Sequence, residues 1–180
     1  MPFIGNKYIE SLRAKDEIVV TFVCLGNICR SPMAAAIMSA RVEERVQPRV
    51  KVESAGTSSW HVGEGPNPQS QKTWESHGYR YHHRASHFTL SRLANSDLVL
   101  AMDRDNLNNI QKLSHNHDDV RKVFLLRDFE VNAEENSEVP DPYSLPDEAF
   151  EHVRELLENA IDGLMNVLYP PGIHSNSGSR

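Results

Sequence analysis

The sequence predicts one α/β domain, with a four-stranded parallel sheet and helices on both of its faces. Four short predicted strands alternate with helical segments, which is the pattern of a parallel sheet wrapped on both sides. The chain of 180 residues fits a single domain of ordinary size with a buried core. The predicted organisation is an N-terminal extension over 1–16, one domain over 17–169 and a disordered polar tail over 170–180.

The strands are predicted from short segments of β-forming residues, of which the first has the clearest signal. The first run, EIVVTFV at 17–23, is almost entirely apolar after its first residue, as expected for a strand that is buried on both faces. Residues 55–69, rich in Gly, Pro and Ser, and the polar residues 127–142 are predicted as loops. Three further strands are predicted at 50–54, 97–102 and 122–126.

The helices are predicted where apolar residues recur at helical spacing next to start or stop signals. Ser31 and Pro32 are expected to be the N-cap and first residue of a helix that runs to about Val46. Ser144 and Asp147 form a plausible capping box before the last helix, which carries an apolar stripe as far as Leu168. Other helices are predicted at 71–79 and near 104–113, and the extension is either a short amphipathic helix with Tyr8, Ile9 and Leu12 or a frayed end.

Composition excludes several classes of partner and compartment. The net charge of −6 argues against general affinity for nucleic acid or for acidic membranes. The N-terminus has no secretory signal pattern, and no window approaches the roughly 20 apolar residues of a membrane span. Two cysteines do not make a secreted disulfide framework. We therefore expect a soluble cytoplasmic protein without a nucleic-acid or membrane partner.

The loop between the first strand and the first long helix has the chemistry of an anion site. Backbone N–H groups in a tight loop that opens a helix form an anion nest, and Gly26 gives this loop the conformational freedom it needs. Arg30 offers a planar fork for two phosphate oxygens, and the positive potential favours the thiolate of Cys24 beneath the anion. A thiolate in that position is an in-line nucleophile. Cysteine at a strand end is often only a small buried hydrophobe, but the flanking strand, glycine and helix start favour the functional interpretation.

The stretch VCLGNICRSPMAAAI at 23–37 resembles the active-site loop of the low-molecular-weight protein tyrosine phosphatases. The resemblance continues in the family's order through SAGTSSWHVGE, HGY, LAMDRDN and VPDPYS, and it covers most of residues 18–168. It implies a phosphate-binding loop after the first strand of a four-stranded parallel sheet. It also implies hydrolysis of phosphate monoesters through a cysteinyl-phosphate intermediate, without a metal or cofactor.

The resemblance assigns roles to individual positions. It implies that Cys24 is the nucleophile, Arg30 the phosphate-binding arginine and Asp141 the general acid that protonates the leaving phenolate, a step that any carboxylic acid near the pocket could perform. The remaining phosphate-binding loop residues are Leu25, Gly26, Asn27, Ile28, Cys29 and Ser31. The residues implied to support the loop are Asn27, Ser31, Ser54 and His83, with His82 as the alternative to His83 if the register slips by one residue.

Leu25, Trp60 and Tyr143 match positions that wall the family's substrate cleft. Aromatic walls make a deep pocket that suits phosphotyrosine better than phosphoserine. The expected partners are therefore a phosphotyrosine-containing protein or a small aryl phosphate, with inorganic phosphate as the product. Cys29 matches a family cysteine that forms a disulfide with the nucleophile under oxidation, although it could equally be a thiol that packs the loop.

Several alternatives stay open at this point. Protein-arginine phosphatases share the loop but have threonine where this chain has Ile28, whose bulk favours phosphotyrosine. Arsenate reductases need further cysteines, and a non-catalytic phosphate-binding protein has little reason to keep Asp141. A metal protein is suggested only by the histidines, which lack the spacing of a closed zinc site. The sequence also departs from the family at Ser144, where animal members have a second tyrosine, and at Asn67, where many relatives carry aspartate.

Overall fold

The computed structural model describes Phe3 and residues 5–172. Its sheet has four parallel strands in the order β2-β1-β3-β4, which confirms the predicted fold class. At the carboxyl ends of the strands, Cys24 pairs with Gly56. The strands are β1 Glu17–Cys24, β2 Arg49–Gly56, β3 Leu98–Ala101 and β4 Val123–Leu125.

Seven α-helices and one 3-10 helix connect or follow these strands within the described residues. The longest, α7, ends the described fold and buries the predicted apolar stripe from Phe150 to Leu168. The α-helices are α1 Lys7–Leu12, α2 Arg30–Val42, α3 Pro68–Ser76, α4 Leu90–Asn95, α5 Arg104–Gln111, α6 His117–Val120 and α7 Asp147–Leu168, and the 3-10 helix is Leu126–Phe129.

The helices cover both faces of the sheet, because successive side chains of a strand point to opposite sides. Phe22 of β1 belongs to the larger apolar cluster, which α2, α7 and α1 complete. Val23, the next residue, belongs to the second cluster, with Leu93 of α4 and Ile110 of α5. Both faces of β1 are therefore buried against helices and shielded from water, which explains why its sequence is a continuous apolar run.

Two predicted helix starts are wrong for reasons that concern single side chains. Helix α2 begins at Arg30, with Cys29 at the N-cap, and it ends at Val42 rather than near Val46. Ser31 lies inside the first turn, and its hydroxyl is 3.0 Å from the Cys24 sulfur. Ser144 is not an N-cap either, since its φ of 62° places it in a turn while Pro146 takes the cap position of α7.

The N-terminal segment packs on the domain against α7 and against the residues just before β3. The expected short helix forms over Lys7–Leu12, where Ile9 and Leu12 are buried and the Asn6 side chain caps the first turn. Arg13 Nε donates to the carbonyl of Val167, 2.7 Å away. Most of the predicted disordered tail, 173–180, lies outside the described residues. Within those residues, every helix is too short or too polar to span a bilayer.

Candidate active site

The loop after β1 is held by hydrogen bonds from outside it. The carbonyls of Cys24 and Leu25 accept from the N–H groups of Thr57 and Ser58, each at 2.9 Å. The carbonyl of Ile28 accepts from the N–H of Asn67 at 2.9 Å. A loop whose carbonyls bond outward presents its N–H groups inward, and together with the N-terminus of α2 this is the arrangement of an anion site.

Asn27 holds the loop in shape through the hydrogen bonds of its side chain. It adopts a left-handed backbone with φ of 56°, which asparagine tolerates better than most residues, and its side chain is fully buried. The backbone N–H of Ser86 donates to Asn27 Oδ1 at 2.9 Å, and this fixes which end of the amide carries the donors. Asn27 Nδ2 then donates to the hydroxyls of Ser31 and Ser54, at 2.8 and 3.0 Å.

The hydrogen bond from Asn27 Nδ2 to Ser31 Oγ decides where the Ser31 hydroxyl proton points. Because Ser31 Oγ accepts from Asn27, its own proton is free to be donated to the Cys24 sulfur, 3.0 Å away. The backbone N–H of Asn27 also donates to that sulfur, at 3.3 Å. Two donors therefore converge on Cys24, and donors stabilise the anionic form of a thiol. Their positions make the loop suited to a thiolate.

His83, rather than His82, is the histidine that contacts the loop. Its Nε2 is 2.6 Å from the carbonyl of Asn27, and its side chain is buried, whereas His82 is exposed. Burial lowers the pKa of His83 below its ordinary value, with a smaller opposing effect from the bond to Asn27. The ring is therefore neutral at pH 7, and since a carbonyl only accepts, the proton lies on Nε2.

Arg30 is buried, with 3% of its surface exposed, and three acceptors hold its guanidinium. Its Nη1 donates to Asp103 Oδ2 at 2.6 Å and to the carbonyl of Val139 at 3.1 Å, and its Nη2 donates to Asp141 Oδ2 at 3.3 Å. Burial acts to lower the pKa of Arg30, but Cys24 and the two carboxylates outweigh it and raise that pKa. The guanidinium is thus a fixed cation at the loop.

A pocket of about 230 Å³ opens over the loop. Trp60 and Tyr143 are 72% and 56% exposed at its mouth, and the Asp141 carboxylate accepts from the N–H of Tyr143 at 3.1 Å. The predicted nucleophile, phosphate-binding arginine, general acid and cleft residues thus line one pocket. Its lining residues are Cys24, Leu25, Gly26, Ile28, Cys29, Arg30, Trp60, His61, Asp141 and Tyr143.

Cys29 differs chemically from Cys24 although both are free and buried. Burial, reinforced by the charges of Cys24 and Asp141, raises the pKa of Cys29 to about 12. Its carbonyl accepts from the Ser70 hydroxyl at 2.8 Å. Cys29 is therefore a neutral thiol at pH 7, and of the two cysteines only Cys24 receives a hydrogen bond from Ser31.

Sequence reasoning missed two residues at this site. Asp103 follows β3 and caps α5 through Oδ1, which leaves Oδ2 for Arg30. Since side chains at the carboxyl ends of neighbouring parallel strands meet at one edge, the position of Asp103 after the third predicted strand was a usable signal. His61 lines the pocket, and its Nδ1 is 2.8 Å from Glu64 Oε2, but nothing in the loop pattern indicates that pair.

The histidines form no metal centre in the described part of the molecule, where no three His, Cys, Asp or Glu side chains come close enough to hold an ion. His61 and His77 instead pair with the carboxylates of Glu64 and Glu151. This geometry gives no support to the metal-protein alternative.

The sequence of the chain is similar to known proteins over most of its length, including the loop and the other residues of the pocket. Residues 19–170 match the model of the family described as low molecular weight phosphotyrosine protein phosphatase. A low molecular weight protein-tyrosine-phosphatase of Streptomyces coelicolor is 42% identical over 148 residues, which are 81% of this chain and 90% of that protein. Another, from Staphylococcus epidermidis, is 40% identical over 151 residues, 84% of this chain and 94% of that protein.

Solved structures are similar over the same span. A protein tyrosine phosphatase from Entamoeba histolytica, with Hepes in its active site, superposes with a TM-score of 0.77 at 33% identity, covering 82% of this chain and 94% of that one. An arginine phosphatase from Geobacillus stearothermophilus gives a TM-score of 0.73 at 29% identity, covering 84% and 92%.

Proposed function

The chain belongs to the low molecular weight phosphotyrosine protein phosphatase family, whose members are cysteine-dependent and metal-independent enzymes, and we propose that Cys24, Arg30 and Asp141 perform its chemistry. The enzyme hydrolyses a phosphorylated substrate and releases phosphate. We assign Cys24 as nucleophile, Arg30 as phosphate ligand and Asp141 as general acid and base. The observation that supports this assignment is that the three side chains line one pocket, in which the Ser31 hydroxyl and the Asn27 backbone N–H both lie within hydrogen-bond distance of the Cys24 sulfur.

In the first proposed step the Cys24 thiolate attacks phosphorus in line with the leaving oxygen. The loop N–H groups of residues 25–30 and the Arg30 fork hold the three equatorial oxygens, where negative charge accumulates in the transition state. Arg30 is already aimed by Asp103 and Val139, so that binding the phosphate requires little reorganisation of the guanidinium. The sulfur–phosphorus bond forms as the phosphorus–oxygen bond of the ester breaks.

Asp141 completes both halves of the reaction. As an acid it protonates the leaving phenolate, and as a carboxylate it then accepts a proton from the water that attacks the cysteinyl-phosphate. Its Oδ1 accepts from the N–H of Tyr143 and its Oδ2 from Arg30 at a long 3.3 Å, so the carboxyl group is oriented but not locked. The second step regenerates the Cys24 thiolate and frees inorganic phosphate, using these side chains alone.

We propose that the substrate is a phosphotyrosine-containing protein or a small aryl phosphate. Trp60 and Tyr143 stand at the mouth as flat apolar walls, and Ile28, a residue of the loop itself, also lines the pocket. Such walls suit a phenyl ring, which carries its phosphate deeper than an alkyl ester would.

The cytoplasmic location, and the absence of nucleic-acid and membrane partners, stay predictions from composition. The protective Cys24–Cys29 disulfide stays a prediction from the family resemblance.

A protein-arginine phosphatase is the second candidate, favoured by the structural similarity to the Geobacillus enzyme. Ile28 argues against it here, because its side chain lines the pocket with apolar surface where a guanidinium would need hydrogen-bond acceptors. Arsenate reduction lacks further cysteines to carry electrons. A non-catalytic phosphate-binding role leaves Asp141 without a use.

The test compares leaving groups and substrates in one series. Wild type and Asp141→Asn are assayed on a phosphotyrosine peptide, a phosphoarginine peptide and p-nitrophenyl phosphate. We expect wild type to prefer phosphotyrosine, and Asp141→Asn to lose about 10²–10⁴-fold on phosphotyrosine but much less on p-nitrophenyl phosphate, whose leaving group needs no proton. Equal losses on the two aryl esters would remove Asp141 from the acid role, and a preference for phosphoarginine would replace the substrate assignment.

A further inference from the structure

Exposed apolar side chains are concentrated around the pocket mouth. Nine large hydrophobic side chains are exposed among the described residues, and three of them, Leu25, Trp60 and Tyr143, line the pocket. Two more lie next to lining residues in the chain: Val62 follows His61 and is 55% exposed, and Leu145 is two residues after Tyr143 and is 48% exposed. A concentration of this kind around a binding pocket marks a contact surface.

The turns that carry these side chains are fixed by backbone hydrogen bonds. Beside Val62, the N–H of Gly63 donates to the carbonyl of Ala85 at 2.8 Å, and the N–H of Ala85 donates to the carbonyl of Glu64 at 2.9 Å. The N–H of Leu145 donates to the carbonyl of Pro142 at 2.9 Å. Val62 and Leu145 are therefore presented to solvent by well-bonded turns rather than by loose loops.

The charges at the mouth do not favour an acidic partner. Arg30 is buried and already bonded to Asp103 and Asp141, and His61 is paired with the exposed carboxylate of Glu64. Arg84, an exposed cation near Val62, donates to the carbonyl of Gly63 and does not line the pocket. With a net charge of −6 on the whole chain, long-range attraction for acidic peptides is absent as well.

From this surface we propose that the enzyme selects tyrosine-phosphorylated segments whose residues next to the phosphotyrosine are large and apolar. Val62 and Leu145 are the specificity-determining residues: they contact the flanking side chains on the two sides of the mouth while the phosphotyrosine ring enters between Trp60 and Tyr143. The inference rests on the proposed function. Each apolar flanking side chain that is partly covered on this surface raises kcat/KM by about threefold to tenfold.

The experiment uses three phosphotyrosine peptides that differ only in the residues flanking phosphotyrosine, which are Leu, Ala or Glu on both sides, with p-nitrophenyl phosphate as reference. Wild type is expected to give a kcat/KM about tenfold or more higher for the Leu peptide than for the Glu peptide, with the Ala peptide between them. Val62→Asp and Leu145→Asp are each expected to reduce the Leu-to-Ala ratio by about threefold, and because both of these flanking residues are uncharged, repulsion by the new carboxylate does not enter this ratio.

Val46→Asp is the matched control. Val46 is an exposed valine, 78% accessible, and lies beyond the far end of α2, which starts at the loop and rises roughly 18 Å over its length. The same substitution there is expected to leave the Leu-to-Ala ratio unchanged. Thermal unfolding of all three variants checks that the charge has not altered the fold.

Three results would overturn the inference while leaving the proposed function intact. One is a wild-type kcat/KM for the Glu peptide equal to or above that for the Leu peptide, which would show that Arg84 or His61 governs recognition by charge. Another is a Val62→Asp variant that behaves like Val46→Asp. If p-nitrophenyl phosphate is hydrolysed but none of the three peptides is, the inference fails and the proposed function stands. If neither p-nitrophenyl phosphate nor any peptide is hydrolysed, the proposed function fails together with the inference.

Discussion

Gly56, the last residue of β2, lies directly beneath the active-site loop, and replacing it with alanine should damage catalysis through the backbone alone. A Cβ atom at this position would lie 2.7 Å from the carbonyl oxygen of Leu25 and 3.1 Å from the carbonyl carbon of Gly26. Ordinary contacts begin at 3.4 Å, so the loop and the strand must separate by about 0.7 Å, which is 3.4 minus 2.7. Gly56 has no positive φ, so the effect is purely steric.

Neither side of this contact can yield easily. Gly56 is fixed from behind, since its N–H donates to the carbonyl of Ser86 at 2.8 Å and its carbonyl accepts from the N–H of Phe88 at 2.7 Å. The carbonyl of Leu25 accepts from both the N–H and the hydroxyl of Ser58. We therefore expect the loop to be displaced by several tenths of an ångström. Such a misplacement lowers kcat/KM by about 10- to 100-fold, and the overpacking costs about 1–3 kcal/mol of unfolding free energy.

Gly65→Ala is the matched control for Gly56→Ala, because a Cβ at Gly65 meets nothing within 4 Å. Both variants are assayed on p-nitrophenyl phosphate, with inhibition by inorganic phosphate to report anion binding and chemical denaturation to report stability. Gly56→Ala should lose activity and phosphate affinity together, and Gly65→Ala neither. A folded Gly56→Ala enzyme within twofold of wild type would refute the idea that β2 positions the loop.

Three further substitutions test other parts of the site. Asp103→Asn should position Arg30 less firmly, raising the inhibition constant of phosphate and lowering kcat/KM by roughly 10- to 100-fold, since the carboxylate acceptor of the 2.6 Å bond becomes a neutral amide; unchanged phosphate inhibition would contradict this. Ile28→Thr should raise the ratio of phosphoarginine to phosphotyrosine hydrolysis by about tenfold, because a hydroxyl replaces apolar pocket surface, and an unmoved ratio would show that Ile28 does not select the substrate. His83 has a lowered pKa in the folded protein, so as the pH falls below about 6.5 the unfolded state binds a proton that the folded state does not, and stability declines. His83→Gln should remove this component from denaturation curves at pH 5 and 7, while His82→Gln at the exposed neighbour should retain it.

The sheet could be predicted because its strands carry their own signal. β1 is apolar on both faces, β3 and β4 are short apolar runs, and β2 alternates Val50 and Val52 with charged residues. Short helices do not have such a signal. Helices α4 and α6, of six and four residues, were not predicted, since helices of that length are stable only through contacts made elsewhere in the fold. Leu93, the buried residue of α4, belongs to the second core cluster.

The loop could be predicted in position but not in its bonding. Ser31 has the local pattern of an N-cap, yet its hydroxyl contacts the Cys24 sulfur, and the helix starts two residues earlier than predicted. The contact of Ser31 with Cys24, seven positions away, thus outweighs the local preference of serine for an N-cap position. The pairing of Arg30 with Asp103 spans 73 residues, and only the order of the strands in the sheet brings those two side chains together.

The most direct test of the whole account is the hydrolysis of p-nitrophenyl phosphate in EDTA by wild type, Cys24→Ser and Cys29→Ser. The two cysteines are both buried in one loop, so the same substitution at each separates nucleophile from neighbour. The account predicts metal-independent turnover in wild type, a loss of at least about a thousandfold in Cys24→Ser with phosphate binding retained, and turnover within about tenfold of wild type in Cys29→Ser. Persistent turnover in Cys24→Ser, or loss of wild-type activity in EDTA, would contradict it.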